Sequence, residues 1–469
     1  MQHIKQILDS LKAQDNYRIL RDFRHCGEYL LDSKGVKLLN LASNDYLGIA
    51  SDEKIVEKFY KWCEKKGFLA PKESAKSHKK SKPLHKDFAK FLRFSSSSSR
   101  LLSGGFPAYE AFEAHLDSAF SPKKSLLFNS GYHLNISTLQ ALSQLPHSLF
   151  LLDFYSHASV IDGVRLGGAD FKRFRHNDIS HLSELLESRG KNYEHIFIVS
   201  EGVFSMEGDF AFLEQIIALK EEHKKRGKNV YIYLDEAHSV GVFGRSEGVL
   251  YSKDLSGFGI ENDGLGLARA LGVESCVDFL VFTFGKAIGS VGACVICHKD
   301  FRDFFVNSAR GLIYSSALPP INVAFSYFVF QTLGGLKDEK KLAKSITKRR
   351  ENLALLSEFF KTSLEQIAQK YCLKSLGKSH IFSLILGENS LAISLAKKLE
   401  SSGIYAPAIK SPTVPKGSAR IRFSLSASMS LDEARFVIEE LEKHLKTILK
   451  SQKYLNTARK HKKHSYKKR

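Results

Sequence analysis

The chain has 469 residues, 43% of them hydrophobic and 26% charged, a balance that fits one large globular core with a smaller second one. Its net charge of +20 is concentrated in two runs, residues 61–93 and 443–469, which leaves a near-neutral body and argues against a nucleic-acid-binding core. No apolar run reaches membrane-spanning length, no signal-peptide core opens the chain, and six scattered cysteines form no disulfide framework, so a reducing cytoplasm is expected.

In chain order, residues 1–25 have the spacing of an amphipathic helix (Ile4, Ile7, Leu8, Leu11) followed by a basic elbow of Arg18, Arg21 and Arg24. A short strand is expected at 37–41, then a turn over 43–48. Residues 61–93 are Lys/Ser/His-rich and read as an exposed insertion, with His78 and His85 solvated rather than metal ligands. The serine run 95–99 passes through Ser103-Gly104-Gly105 into a helix beginning near Ala108.

From there apolar runs alternate with helical spacing. Strands are predicted at 125–128, 148–152, 170–174, 195–200, 230–234, 279–284 and 293–296, and helices at 132–142, 179–188 and 212–225. This order predicts an α/β fold with a mainly parallel seven-stranded sheet covered on both faces. Residues 252–274 read as a second insertion. Beyond Pro319-Pro320 a long helical region over 321–360 leads to shorter strands at 380–386, 404–408 and 419–424 and a helix at 431–449. The expected division is an N-terminal arm (1–45), a large domain (46–310), a smaller C-terminal α+β domain (311–450) and a basic, disordered tail (451–469).

Ligands of parallel sheets gather at the carboxyl ends of strands, and four polar clusters fall there. Asn129-Ser130-Gly131-Tyr132 opens a helix with free N–H groups and a glycine, which suits a phosphate. Ser156-His157-Ala158-Ser159 places an imidazole after an apolar strand. In Asp235-Glu236-Ala237-His238 a carboxylate just past a buried strand calls for a cation, here a protonated ring nitrogen, with His238 beside a ring substituent. Lys286 lies on a glycine-punctuated turn after Thr283, where partial burial lowers an amine's pKa and makes it a nucleophile and base. Together these specify pyridoxal 5'-phosphate (PLP). Cys294 and Cys297, three apart on a strand, point to opposite faces and read as core packing, so no metal site is expected.

The sequence resembles the α-oxoamine synthase family of PLP enzymes, from about residue 7 to about residue 445. The motifs that carry the likeness are LASNDYLG (41–48), SSSSSRLLSGG (95–105), FNSGYHLN (128–135), SHAS (156–159), FRHND (174–178), SEGVFSMEGD (200–209), LDEAHSVGVFG (234–244), TFGKAIGSVGA (283–293), IYSSALPP (313–320), SPTVP (411–415) and ARIRFSLSA (419–427). Within the family it is most similar to the branch that makes 8-amino-7-oxononanoate for biotin.

The resemblance implies the type I PLP-transferase fold, with Lys286 as the cofactor-linked lysine and base at Cα. It implies phosphate contacts from Gly131, Tyr132 and Thr283, ring contacts from His157, Ser205, Asp235 and His238, and a further phosphate contact from Ser316 across an obligatory homodimer. Arg422 would anchor the amino acid carboxylate, Arg21 and Thr413 would touch the acyl group, and Asn44 would be a further substrate contact. The implied substrates are L-alanine and a pimeloyl thioester, carried on coenzyme A or on a carrier protein.

Four positions depart from the family pattern: Ser95 and Ser97 stand where glycines are usual, Glu207 replaces an aspartate, and Lys410 replaces an arginine. The last loosens the acyl-substrate assignment, because lysine does not reproduce the planar guanidinium fork. The competing readings are a glycine-using acyltransferase such as 2-amino-3-ketobutyrate CoA ligase and, more remotely, a catalytically inactive basic binding protein. A DEAH-type helicase is disfavoured because no phosphate loop precedes residues 235–238.

Overall fold

Runs that are apolar on both faces, such as Ser148–Asp153 and Phe279–Thr283, are buried at every residue, which is possible only for strands inside a sheet covered on two sides. The computed structural model describes residues 1–66, 68, 93–246, 262–333 and 340–450. His78, His85, residues 252–261 of the second insertion and the basic tail lie outside them. The chain divides into two compact units, one built from residues 52–204 and 210–350, the other from 1–51, 205–209 and the chain from 351 onward.

The larger unit holds a seven-stranded sheet in the order Lys124–Phe128, Ala293–Cys297, Phe279–Thr283, Asn229–Asp235, His195–Glu201, Ser148–Asp153, Asp170–Phe174. Only Ala293–Cys297 runs against its neighbours; the other pairings are parallel. Phe150, Phe197, Val199, Val281 and Val295 join one core cluster with Leu134 and Leu139 of the helix Gly131–Leu142 and Val160 and Val164 of the helix Ala158–Gly167. Four adjacent parallel strands end in polar residues: Thr283, Asp235, Glu201 and Asp153. All four are buried, so one edge of an otherwise apolar sheet carries a row of enclosed polar groups.

Several local expectations change. The single helical region over 321–360 is two helices, Pro320–Phe330 and Lys340–Tyr371. Residues 311–350 cluster with the larger unit, where Pro320–Phe330 packs on Pro107–Ala119. The helix Glu53–Lys65 extends into the basic stretch and buries Ile55, Phe59, Trp62 and Cys63 along one face. Residues 262–274 are packed in: Leu265, Leu267 and Ala268 are buried. The fully buried Glu236 carboxylate accepts from Leu267 N and Ala268 N at 2.9 and 2.8 Å, capping the helix Leu267–Ala270. Cys294 and Cys297 are free and buried, and burial pushes the Cys297 thiol up to about 12.

The smaller unit contains two four-stranded sheets. One runs Arg24–Cys26, Tyr29–Leu31, Lys37–Asn40, Ile404–Tyr405; the other runs Lys374–Leu376, Ile381–Gly387, Ala419–Ser424, Ala408–Ile409. Its closing helix, Leu431–Leu449, starts at a capping box formed by Ser430 and Glu433. Glu207, the residue in place of aspartate, forms a 2.9 Å ion pair with the buried Arg420.

Candidate active site

The turn after Phe279–Thr283 is held by Phe284 N to Gly292 O (2.8 Å), Ser290 N to Phe284 O (2.8 Å) and Gly289 N to Lys286 O (2.9 Å). Gly292 has φ +123, and a Cβ there would come within 2.6 Å of Leu318 and 2.8 Å of Phe284, so only glycine closes the turn this tightly. The turn presents Lys286, half-buried, with Nζ 2.7 Å from His238 Nε2. His238 is buried three residues beyond the strand Asn229–Asp235.

The Asp235 carboxylate, 5% exposed, accepts from Asn135 Nδ2 at 2.9 Å and from Ala237 N at 3.0 Å. Asn135 is fixed in turn by Tyr233, whose hydroxyl donates to Asn135 Oδ1 at 2.8 Å, and by its own 3.0 Å bond to Ser159 Oγ. Among the described residues no cationic side chain forms an ion pair with Asp235. A buried carboxylate satisfied by two neutral donors is poised for a protonated ring nitrogen.

Glu201 lies beside Asp235 in strand register and accepts from His157 N at 2.7 Å. Burial pushes the Glu201 carboxyl well above its usual range; the neighbouring Asp235 charge adds to this, and Lys286 opposes it. His157 is exposed and caps the helix Ala158–Gly167, its Nδ1 accepting from Ser159 N at 3.3 Å. Desolvation lowers the imidazole pKa, with Asp235 opposing and Lys286 adding.

The helix Gly131–Leu142 begins beside Thr283, where a Cβ on Gly131 would lie 2.3 Å from Thr283 Cγ2. Thr283 Oγ1 is buried with no hydrogen-bond partner, an orphan that calls for an external acceptor. A helix N-terminus, a glycine that permits close approach and an unsatisfied hydroxyl together fit a phosphate. The residues therefore fit PLP at both its phosphate and its ring nitrogen. Tyr132 is half exposed, its hydroxyl donating to Asp162 Oδ2 at 2.8 Å. Ser316 is exposed, and its carbonyl accepts from Asn129 Nδ2 at 2.8 Å.

In the smaller unit the structure brings Arg422, Ser205 and Asn44 together. Arg422 Nε donates to Ser205 O at 2.6 Å and Nη2 to Asn44 Oδ1 at 3.3 Å. Arg21 is engaged differently from the acyl contact expected of it, in a two-bond pair with Glu400 at 3.0 and 2.7 Å. Thr413 is exposed and accepts from Arg18 Nη2 at 3.4 Å. Sequence reasoning missed Asn135 and Glu201; the available signals were a polar residue one turn into the helix Gly131–Leu142 and a second acid ending the strand beside Asp235.

Glu201 sets a pH dependence. Its folded pKa exceeds the unfolded value of about 4.3, so between the two the folded chain keeps a proton that the unfolded chain has released. Stability present in acid is then lost as pH rises toward the folded value. Scanning calorimetry of cofactor-free protein should show this downward slope in Tm above about pH 4.3 flattened in Glu201→Gln; an unchanged slope in the variant contradicts the assignment.

The class I and II aminotransferase family model matches residues 36–441. Relatives named "Putative 8-amino-7-oxononanoate synthase" are 40% identical over 92% of this chain and 97% of the relative in Glaesserella parasuis, and 40% identical over 93% and 98% in Haemophilus influenzae. Among solved structures, a serine palmitoyltransferase from S. paucimobilis with a bound PLP-myriocin aldimine aligns with TM-score 0.74 at 23% identity, covering 95% of this chain and 97% of that one. An 8-amino-7-oxononanoate synthase from Francisella tularensis aligns with TM-score 0.62 at 23% identity, covering 87% and 98%. The two structures share the fold; the sequence relatives and the family model extend the likeness along nearly the whole chain. The chain belongs to the class I and II aminotransferase family, in its α-oxoamine synthase branch of PLP-dependent acyltransferases.

Proposed function

We propose that this enzyme condenses L-alanine with a pimeloyl thioester, releasing carbon dioxide, the free thiol and 8-amino-7-oxononanoate, as a step of biotin synthesis. The observation that carries this reading is 40% identity, across nearly the full length of both chains, to relatives bearing that synthase name.

Bound PLP supplies an aldehyde that captures an amine and a ring that draws off the electron pair left when a bond to the amino acid's Cα breaks. The chain's own residues do the rest. Thr283 Oγ1 and the N–H groups of Gly131 and Tyr132 hold the phosphate. Asp235, kept in orientation by Asn135 and Ala237 N, holds a proton on the ring nitrogen. His157 covers the ring face, while Ser205 and His238 bind on its oxygen side. Lys286, its Nζ in contact with His238, would hold the cofactor through its amine and would take the Cα proton. Arg422 with Asn44 binds the amino acid carboxylate, and Ser316 of the partner subunit adds a phosphate contact, so the working form is a homodimer. Among the described residues no helix is long and apolar enough to cross a membrane, in keeping with a cytoplasmic enzyme.

Two outcomes test this account. Purified PLP-loaded protein given L-alanine and pimeloyl-CoA or a pimeloyl carrier protein should release carbon dioxide and an amino ketone; turnover of glycine with acetyl-CoA instead contradicts the substrate reading. Gly131→Ala should weaken PLP binding by at least about tenfold, as expected for losing a charge-assisted phosphate contact, with circular dichroism unchanged. Wild-type affinity in that variant, read by absorbance titration, contradicts the phosphate assignment.

A further inference from the structure

A neutral imidazole carries its proton on one ring nitrogen and accepts through the other. For His157 the choice is made by a chain of hydrogen bonds that starts at Asp235. A carboxylate oxygen only accepts, so the amide atom of Asn135 that meets Asp235 Oδ2 at 2.9 Å is its nitrogen. Tyr233 agrees with that orientation, its hydroxyl donating to Asn135 Oδ1 at 2.8 Å. The second hydrogen of the same nitrogen goes to Ser159 Oγ at 3.0 Å. Asn135 and Ser159 are both buried, so bulk water does not compete for either. The two helices that carry them approach closely at Gly163, where a Cβ would come within 2.8 Å of Asn135 O.

Ser159 Oγ therefore accepts from Asn135 and keeps its own hydrogen to give. Among the described residues its remaining partner is His157 Nδ1, at 2.8 Å. Nδ1 also accepts from the Ser159 N–H at 3.3 Å, a backbone donor that no side-chain rotation can reverse. Both bonds use the lone pair of Nδ1, which leaves the ring proton on Nε2. Burial lowers the imidazole pKa, with Asp235 and Asp162 opposing and Lys286 adding, so the neutral ring is the form present at neutral pH. His157 is exposed, and its Nε2 has no hydrogen-bond partner among the described residues. That N–H is a donor held ready for a ligand.

We propose that Asn135 and Ser159 are positioning residues that pass the orientation demanded by Asp235 on to His157 and fix it as the Nε2–H tautomer. His157 then meets a substrate oxygen as a hydrogen-bond donor, and its free nitrogen, already protonated, does not act as a base. The identity of that oxygen rests on the proposed condensation; the tautomer rests on hydrogen bonds within the larger unit.

Long-range proton–nitrogen NMR correlation of full-length PLP-loaded protein with isotope-labelled histidine tests this, His157→Asn identifying the resonances. Wild type at neutral pH should show a bare Nδ1 and a protonated Nε2. Ser159→Ala, titrated with acid, should raise the proton affinity of His157 about tenfold, the order expected when protonating Nδ1 no longer displaces a hydroxyl donor. Asn135→Ala should raise it at least as much, because the freed Ser159 hydroxyl can then accept from a protonated Nδ1. The charged groups that act on the ring, Asp235, Lys286 and Asp162, are unchanged in both variants, as is Glu201, which accepts from His157 N at 2.7 Å. The proposal is overturned if wild-type His157 carries its proton on Nδ1, if the two tautomers are comparably populated, or if either variant leaves the proton affinity as it was. The expected tautomer in a protein that turns over glycine with acetyl-CoA would leave this assignment standing and sink the proposed reaction.

Discussion

A carboxylate enclosed at the end of the central strand, with no ion pair to a cationic side chain among the described residues, is the constraint around which the larger unit is arranged. Left unpaired, a buried charge costs several kcal/mol. Asp235 is held by the Asn135 amide and the Ala237 N–H, and Asn135 by Tyr233 and Ser159. These partners come from the strand itself, the loop after it and the starts of two helices, so the network fixes the surrounding elements as well as the carboxylate. Neutral donors orient the charge and leave its neutralisation to a ligand. PLP, the cofactor of this family, brings the required ring nitrogen.

The second half of the arrangement is the turn carrying Lys286. Gly292 lets the strands Phe279–Thr283 and Ala293–Cys297 close around it, and the only reversed strand of the sheet exists to make that return. Thr283, at the turn's entrance, packs on Gly131 and leaves its hydroxyl unsatisfied. One short segment thus carries both the amine and the unsatisfied hydroxyl, three residues apart along the chain. Burial and the neighbouring Asp235 charge push the Glu201 carboxyl up, and it anchors the His157 backbone.

Much of this was legible in the sequence for a physical reason. Strands buried on both faces must be largely apolar, so the inner strands of the main sheet stood out, whereas the edge strand Asp170–Phe174 is exposed at three of its five residues; a polar residue ending a buried run marked Asp235, Thr283 and the Lys286 turn. What escaped was polar or short. Arg24–Cys26 is an exposed three-residue strand with no pattern to read, and Glu53–Lys65 hid its apolar stripe beneath a lysine-rich surface. Asn135 and Glu201 act through partners distant in sequence, and Arg21 was read without knowledge of Glu400. Pairings of that kind come from tertiary structure alone; composition signals the charge and not its occupant.

The central claim is that one amine, on the turn after Thr283, carries the cofactor chemistry. Borohydride reduction of the PLP-loaded protein followed by peptide mapping tests it most directly. The account predicts a pyridoxyl group on the peptide containing Lys286 and none on other lysines; label on another lysine, or on none, would contradict it.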